Sequence, residues 1–167
     1  MQKSNTYKGD GMDIKLLQAF CEQANLEFCA SYLFFAMSTN LEEAMMGELS
    51  KYMRHHSSRK LTCAQKIFDY LTLRGQRPYF CSIKEPNKSY FRTSEVFEEA
   101  YLYEERILKN LFELYEIARE QGDLGAMEFI DGLIEKQVAQ ISQFRRLNFK
   151  VKTMKISKSK LECVNYD

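Results

Sequence analysis

The 167-residue chain holds few side chains suited to chemistry, and their spacing already sorts them. Five cysteines, Cys21, Cys29, Cys63, Cys81 and Cys163, form no C-x-x-C pair, so neither a disulfide scaffold nor a zinc knuckle is expected. That usage fits a reducing compartment. Cys63 reads as an inert buried thiol rather than a ligand. The two histidines, His55 and His56, are adjacent and face different sides of a helix. Both read as surface residues, not as a metal pair. Lys150, Lys152, Lys155, Lys158 and Lys160 crowd the end of the chain and read as a solvated basic tail. A DNA-binding terminus is the alternative. From spacing alone, Glu27, Lys60 and Glu104 are charges on solvated helix faces.

Charge and composition narrow the field. Lys and Arg number 24 against 23 Asp and Glu, a net charge of +1, so no bulk basic charge points to nucleic acid. Apolar residues make up 45% and charged residues 28%, the balance of one well-filled domain. Seven Gly and two Pro are too few for a many-turned sandwich or barrel. No apolar stretch is long enough to span a bilayer. Residues 1–11 lack the apolar run of a signal peptide, so a cytoplasmic location and no membrane partner are expected.

The elements that must position these side chains are four long helical patterns. Residues 13–40 carry Ile14, Leu17, Cys21, Ala24, Phe28, Tyr32 and Phe35 at three- and four-residue steps. Residues 47–74 carry Leu49, Tyr52, Met53, Ala64, Ile67, Phe68 and Leu71, then stop at Gly75 and Pro78. Residues 94–122 begin at Ser94, a good N-cap, with Glu95, Glu98 and Glu99 near the positive helix end. Residues 123–149 carry Met127, Ile130, Leu133, Ile134, Val138, Ile141 and Phe144. Short joints pair the first helix with the second and the third with the fourth as antiparallel hairpins. Residues 76–93 are long enough to run the length of a bundle. The expected fold is all-α, a four-helix bundle with one long crossover, over residues 13–149. Residues 1–12 form a flexible N-terminal segment and residues 150–167 a Lys-rich tail.

Five separated blocks carry a resemblance. Residues 27–38 read EFCASYLFFAMS, residues 51–70 KYMRHHSSRKLTCAQKIFDY and residues 73–86 LRGQRPYFCSIKEP. Residues 101–118 read YLYEERILKNLFELYEIA and residues 128–138 EFIDGLIEKQV. In order and spacing they resemble ferritin, in its eukaryotic-type heavy and light chains, over residues 13–149. The resemblance implies an iron-storage protein whose subunits assemble into a hollow shell of 24. Fe(II) is oxidised at a di-iron centre inside each bundle, and Fe(III) is mineralised in the cavity.

Carried over residue by residue, the resemblance implies a remnant of that metal site in Glu27, Glu104 and Gln137. It also implies three disabling replacements. Lys60 stands where the family has a bridging Glu, Cys63 where it has a His, and Lys136 where it has a Glu before the fourth-helix Gln. Phe34 replaces a family Tyr. Lys60 is expected to pair with Glu104, with Glu27 close enough to share the contact. The positions matching the light chains' nucleating carboxylates are His55, Ser58, Arg59 and Thr62, none of them acidic. Glu128 and Asp131 match the two carboxylates that line the family's three-fold iron-entry channel. Residues 156–167 are short and weakly periodic for the family's fifth helix.

The expectation is therefore a storage-shell subunit that is not itself an enzyme. Iron would be transported or stored rather than held in a tight di-iron centre. Its partners would be iron ions and further subunits, including an active subunit supplying oxidation. The alternatives are a ferroxidase using Glu27, Glu104, Gln137, Gln140 and Cys63, or an interaction protein acting through the basic tail.

Overall fold

A computed structural model describes residues 11–86 and 89–153. The basic tail beyond Thr153, Cys163 and the stretch matched to a fifth helix lie outside the described residues. Four helices follow in order: α1 (Ile14–Glu43), α2 (Gly47–Leu73), α3 (Thr93–Gln121) and α4 (Leu124–Thr153). The described residues contain no strand, and the fold is an all-α four-helix bundle.

Local chemistry sets the helix ends. Asp13 caps α1 by accepting the Lys15 N–H at 2.8 Å. A three-residue turn, with Met45 at φ 60°, leads into α2. α2 closes on Gly75 at φ 68°, a left-handed position that costs glycine little, and the Gln76 N–H bonds back to Leu71 at 2.9 Å. α3 starts at Thr93, one residue before the expected cap, with Arg92 in the flanking position. There the Glu95 carboxylate accepts the Phe91 N–H at 3.1 Å. Gly122, also at φ 68°, ends α3. Asp123 then opens α4, accepting the Ala126 N–H at 3.0 Å. α4 runs past Phe149 to Thr153, because Val151 is buried and extends the apolar face. Lys150 and Lys152 thus belong to its last turn.

The crossover joins α2 to α3 and is described over residues 74–86 and 89–92. Phe80 lays its ring edge-on to Phe68 at 4.9 Å and 6.2 Å from Phe28, pinning the crossover to α1 and α2. Arg74 and Asp123 clamp the end of α2 to the start of α4 with two bonds of 3.0 and 3.2 Å.

Two apolar clusters fill the bundle. One gathers Leu16, Phe20 and Ala24 of α1, Ile67 and Leu71 of α2, Ile107, Leu111 and Leu114 of α3, and Ile130 of α4. The other gathers Phe34, Met37 and Leu41 of α1, Tyr52 and Met53 of α2, Phe97 of α3, and Phe144 and Leu147 of α4. In every helix the residues between the two clusters include a buried polar side chain.

That arrangement corrects the expected stripes. Ile14, Tyr32, Phe35 and Val138 are exposed, not buried. At mid-length the inward positions of α1 are Gln23 and Glu27, and those of α4 are Gln137 and Gln140. An apolar-periodicity rule steps over these polar residues onto the apolar neighbour on the wrong face. No described helix is long and apolar enough to cross a membrane.

Candidate metal centre and the polar layer that fills it

Each helix sends at least one polar side chain into the layer between the clusters. Glu27 comes from α1, Lys60 from α2, Glu104 from α3 and Gln137 from α4, and all four are at most 4% exposed. The Lys60 ammonium lies 2.6 Å from Glu104 Oε2 and 3.4 Å from Glu27 Oε2. It also donates to Gln137 Oε1 at 2.9 Å. Three oxygens thus surround an ammonium that has three protons to donate, the closest contacts being to Glu104 and Gln137.

Amides occupy most of the remaining lone pairs. Gln137 Nε2 donates to Glu104 Oε2 at 2.5 Å and to the Glu104 backbone carbonyl at 2.9 Å. Gln140 Nε2 donates to Glu104 Oε1 at 3.0 Å and stands 2.9 Å from His56 Nδ1. Gln23 Nε2 donates to Glu27 Oε1 at 3.1 Å, and Asn110 donates to Gln23 in turn at 2.8 Å. Glu27 Oε2 relies on the charge of Lys60 without a well-aligned hydrogen bond.

Burial and charge set the protonation states. Burial pulls the Lys60 ammonium down, but Glu27 and Glu104 outweigh it and hold the group above its ordinary value. Lys60 is therefore a fixed positive charge. Burial pushes the Glu104 carboxyl up against the pull of Lys60 and Gln137. Burial and the neighbouring Glu27 charge drive the Cys63 thiol up to about 12, so it is a neutral, unreactive thiol. Burial, Arg59, His55 and Lys60 lower His56 to about 3, so its imidazole is neutral.

The structure thus brings Glu27, Lys60, Glu104 and Gln137 together, with Cys63 half-buried beside them. Lys136 is exposed, on the rim rather than in the layer. Glu128 and Asp131 are exposed on α4. His56 corrects the expectation that both histidines are surface residues. It is 1% exposed, packed between the rings of Tyr52 at 4.3 Å and Phe144 at 4.8 Å, while His55 is exposed. The parts of the network that periodicity missed are Gln23, His56 and Asn110. Two had a signal: Gln23 precedes Glu27 by four residues and His56 precedes Lys60 by four, so each shares its neighbour's face. Among the described residues, no group of three or more His, Cys, Asp or Glu side chains is placed to hold a metal ion.

A four-helix bundle with a long crossover and one inward carboxylate on each of two helices defines a ferritin-like protein. The sequence profile of the ferritin family, described as the ferritin-like domain, matches residues 17–154, and the chain belongs to that family. It is 26% identical over 133 residues to the bacterial non-heme ferritin of Escherichia coli O6:H1, covering 80% of this chain and 81% of that protein. The bacterial non-heme ferritin of Staphylococcus haemolyticus is 26% identical over 129 residues, 77% of this chain and 78% of its own. The fold matches that of an open-pore ferritin from the hyperthermophilic archaeon Archaeoglobus fulgidus with a TM-score of 0.86. Identity there is 24%, over 89% of this chain and 91% of the other. A humanized archaeal ferritin matches with a TM-score of 0.85 at 25% identity over the same shares.

Proposed function

We propose that this chain is an iron-storage shell subunit whose mid-bundle site is locked by a lysine and oxidises no iron. Iron is its cargo. One observation carries the reading: the Lys60 ammonium sits 2.6 Å from Glu104 and 3.4 Å from Glu27. A di-iron centre needs carboxylate and imidazole donors around two cations. The donor set here does not suit it. An ammonium cannot ligate a metal, and it repels a dication at that position. The carboxylate oxygens it leaves are taken up mainly by the amides of Gln23, Gln137 and Gln140. Cys63, in the position of the family's His, is held as a neutral thiol, and Lys136 adds a second cation where the family has a carboxylate.

The relatives named bacterial non-heme ferritin support storage and assembly as the shared role. Glu128 and Asp131, exposed and one helical turn apart, suit an acidic passage formed by neighbouring copies, which would draw hydrated dications inward. Oxidation would then come from an active subunit in a mixed shell.

Fe(II) oxidation followed by absorbance tests this. The assembled chain alone should oxidise iron at the buffer's autoxidation rate, and a shell containing an active subunit should exceed it. A faster rate from the chain alone overturns the reading. If Glu27→Ala then abolishes that rate, the rearranged ferroxidase replaces it. Light scattering on the eluted particle checks assembly: a dimer removes the channel role.

A further inference from the structure

A cleft of about 430 Å³ opens between α2 and α4 directly onto the buried layer. Its lining carries four basic side chains, Arg59, Lys60, Lys66 and Lys136, against one carboxylate, Glu27. Lys60, 2% exposed, meets two carboxylates, Glu27 and Glu104, so the buried layer keeps one formal negative charge in excess. Arg59, Lys66 and Lys136 are exposed, and none forms an ion pair with a carboxylate among the described residues. The three line one opening and outnumber the single negative charge left in the layer beneath, so the cleft is net positive. The apolar walls of Leu111 and Leu133 reduce water's screening there, so the field of the three cations is stronger than on an open surface.

We propose that this cleft binds a tetrahedral oxyanion of the phosphate class. The inference goes beyond the storage reading, because it requires no iron and no shell. Arg59 offers a planar guanidinium that grips two phosphate oxygens at once. Lys66 lies about two turns further along the same face of α2, roughly 10 Å at the helical rise, and lines the same cleft. Lys136 approaches from α4 on the opposite wall. The Thr62 and Ser58 hydroxyls donate to their own helix at 3.0 and 3.2 Å, which leaves the three cations, with the His55 imidazole beside them, as the donors. A cation is the wrong occupant: the one carboxylate lining the cleft is already engaged by Lys60 and Gln23.

Isothermal titration of the full chain with inorganic phosphate, at ionic strength fixed with sodium chloride, tests the site. Saturable binding near one phosphate per chain is expected. Arg59→Gln combined with Lys136→Gln should weaken it at least tenfold, Lys136→Arg should retain it, and the distant Lys109→Gln should leave it unchanged. All these positions are exposed, and far-UV circular dichroism verifies that each variant is folded. The proposal is overturned if phosphate gives no saturable heat beyond chloride, or if the double variant binds as tightly as the parent. Duplex DNA bound through the same residues without any phosphate binding would also overturn it and reassign the cations to nucleic acid.

Discussion

Replacing Lys60 with methionine removes the ammonium and keeps most of the side chain's bulk, so the change isolates charge from packing. In the parent, Lys60 meets Glu104 at 2.6 Å, Gln137 at 2.9 Å and Glu27 at 3.4 Å, with side-chain exposures of 3% for the lysine and 0–1% for the carboxylates. Little solvent reaches these groups in the folded parent. Removing one partner of such a buried pair typically costs about 3–5 kcal/mol, because the remaining charge is stranded. For a chain of this length each kcal/mol lowers Tm by about 2–4 °C, so Lys60→Met should melt roughly 6–20 °C lower. The loss should depend on pH. Burial already pushes the Glu104 carboxyl up against the pull of Lys60, so without the ammonium it binds a proton more tightly when folded than when unfolded. A group of that kind contributes stability below its unfolded value, about 4.3 for Glu, and loses it as pH rises through the folded value. The deficit of Lys60→Met should therefore be larger at pH 8 than at pH 5. Adding Glu27→Gln and Glu104→Gln should recover most of it, since no charge is then left buried. Urea denaturation of parent and variants, in the same assembly state and at matched concentration, measures all of this. A loss under about 1 kcal/mol, or one of equal size at both pH values, would refute the charge argument.

Three further outcomes follow from other parts of the molecule. His56, lowered to about 3, should keep a neutral imidazole at pH 5 by its NMR shifts. Because the unfolded imidazole takes a proton near 6.5, His56 should erode stability as pH falls from there toward 3, and His56→Gln should flatten that slope. Asp123→Ala removes both the α4 cap and the Arg74 clamp and should cost about 1–2 kcal/mol in denaturant titration. Burial raises the Asp123 carboxyl, but Arg74 and the Ala126 N–H outweigh it and leave the group below its ordinary value. That contribution is present above pH 4 or so and fades as acid protonates the folded carboxylate. In a mixed shell, Glu128→Gln with Asp131→Asn should slow iron uptake severalfold while leaving Tm unchanged, and an unaltered uptake rate would dismiss the channel role.

The helices were legible because long three-four periodicities and Gly stop signals fix element type and topology. The same rule failed at mid-length. Tyr32, Phe35 and Val138 look like core by type and spacing, yet they are exposed, because Glu27, Gln137 and Gln140 hold the inward positions beside them. Composition and spacing alone also left Lys60 and the two glutamates on solvated faces. Only the resemblance to ferritin placed them on one inward stripe. His56 was misread for a related reason. Its burial depends on Gln140 arriving from α4, eighty-four residues further along, and on the aromatic rings around it. Local sequence carries no trace of such a partner. The cations at the cleft are likewise grouped by two helices, Arg59 and Lys66 from α2 and Lys136 from α4, and neither helix alone displays the group.

The buried layer has a consequence for how the four helices find their alignment. Leucines and phenylalanines are forgiving neighbours: slide one helix by a single turn, about 5.4 Å, and much of the greasy contact re-forms. The ammonium is not forgiving. Displaced by that distance it would meet at best the neutral amide of Gln23 or Gln140, and two glutamates would be left without a counter-charge. The Lys60 side chain thus acts as a locating pin, rejecting offset pairings that the apolar halves by themselves would tolerate.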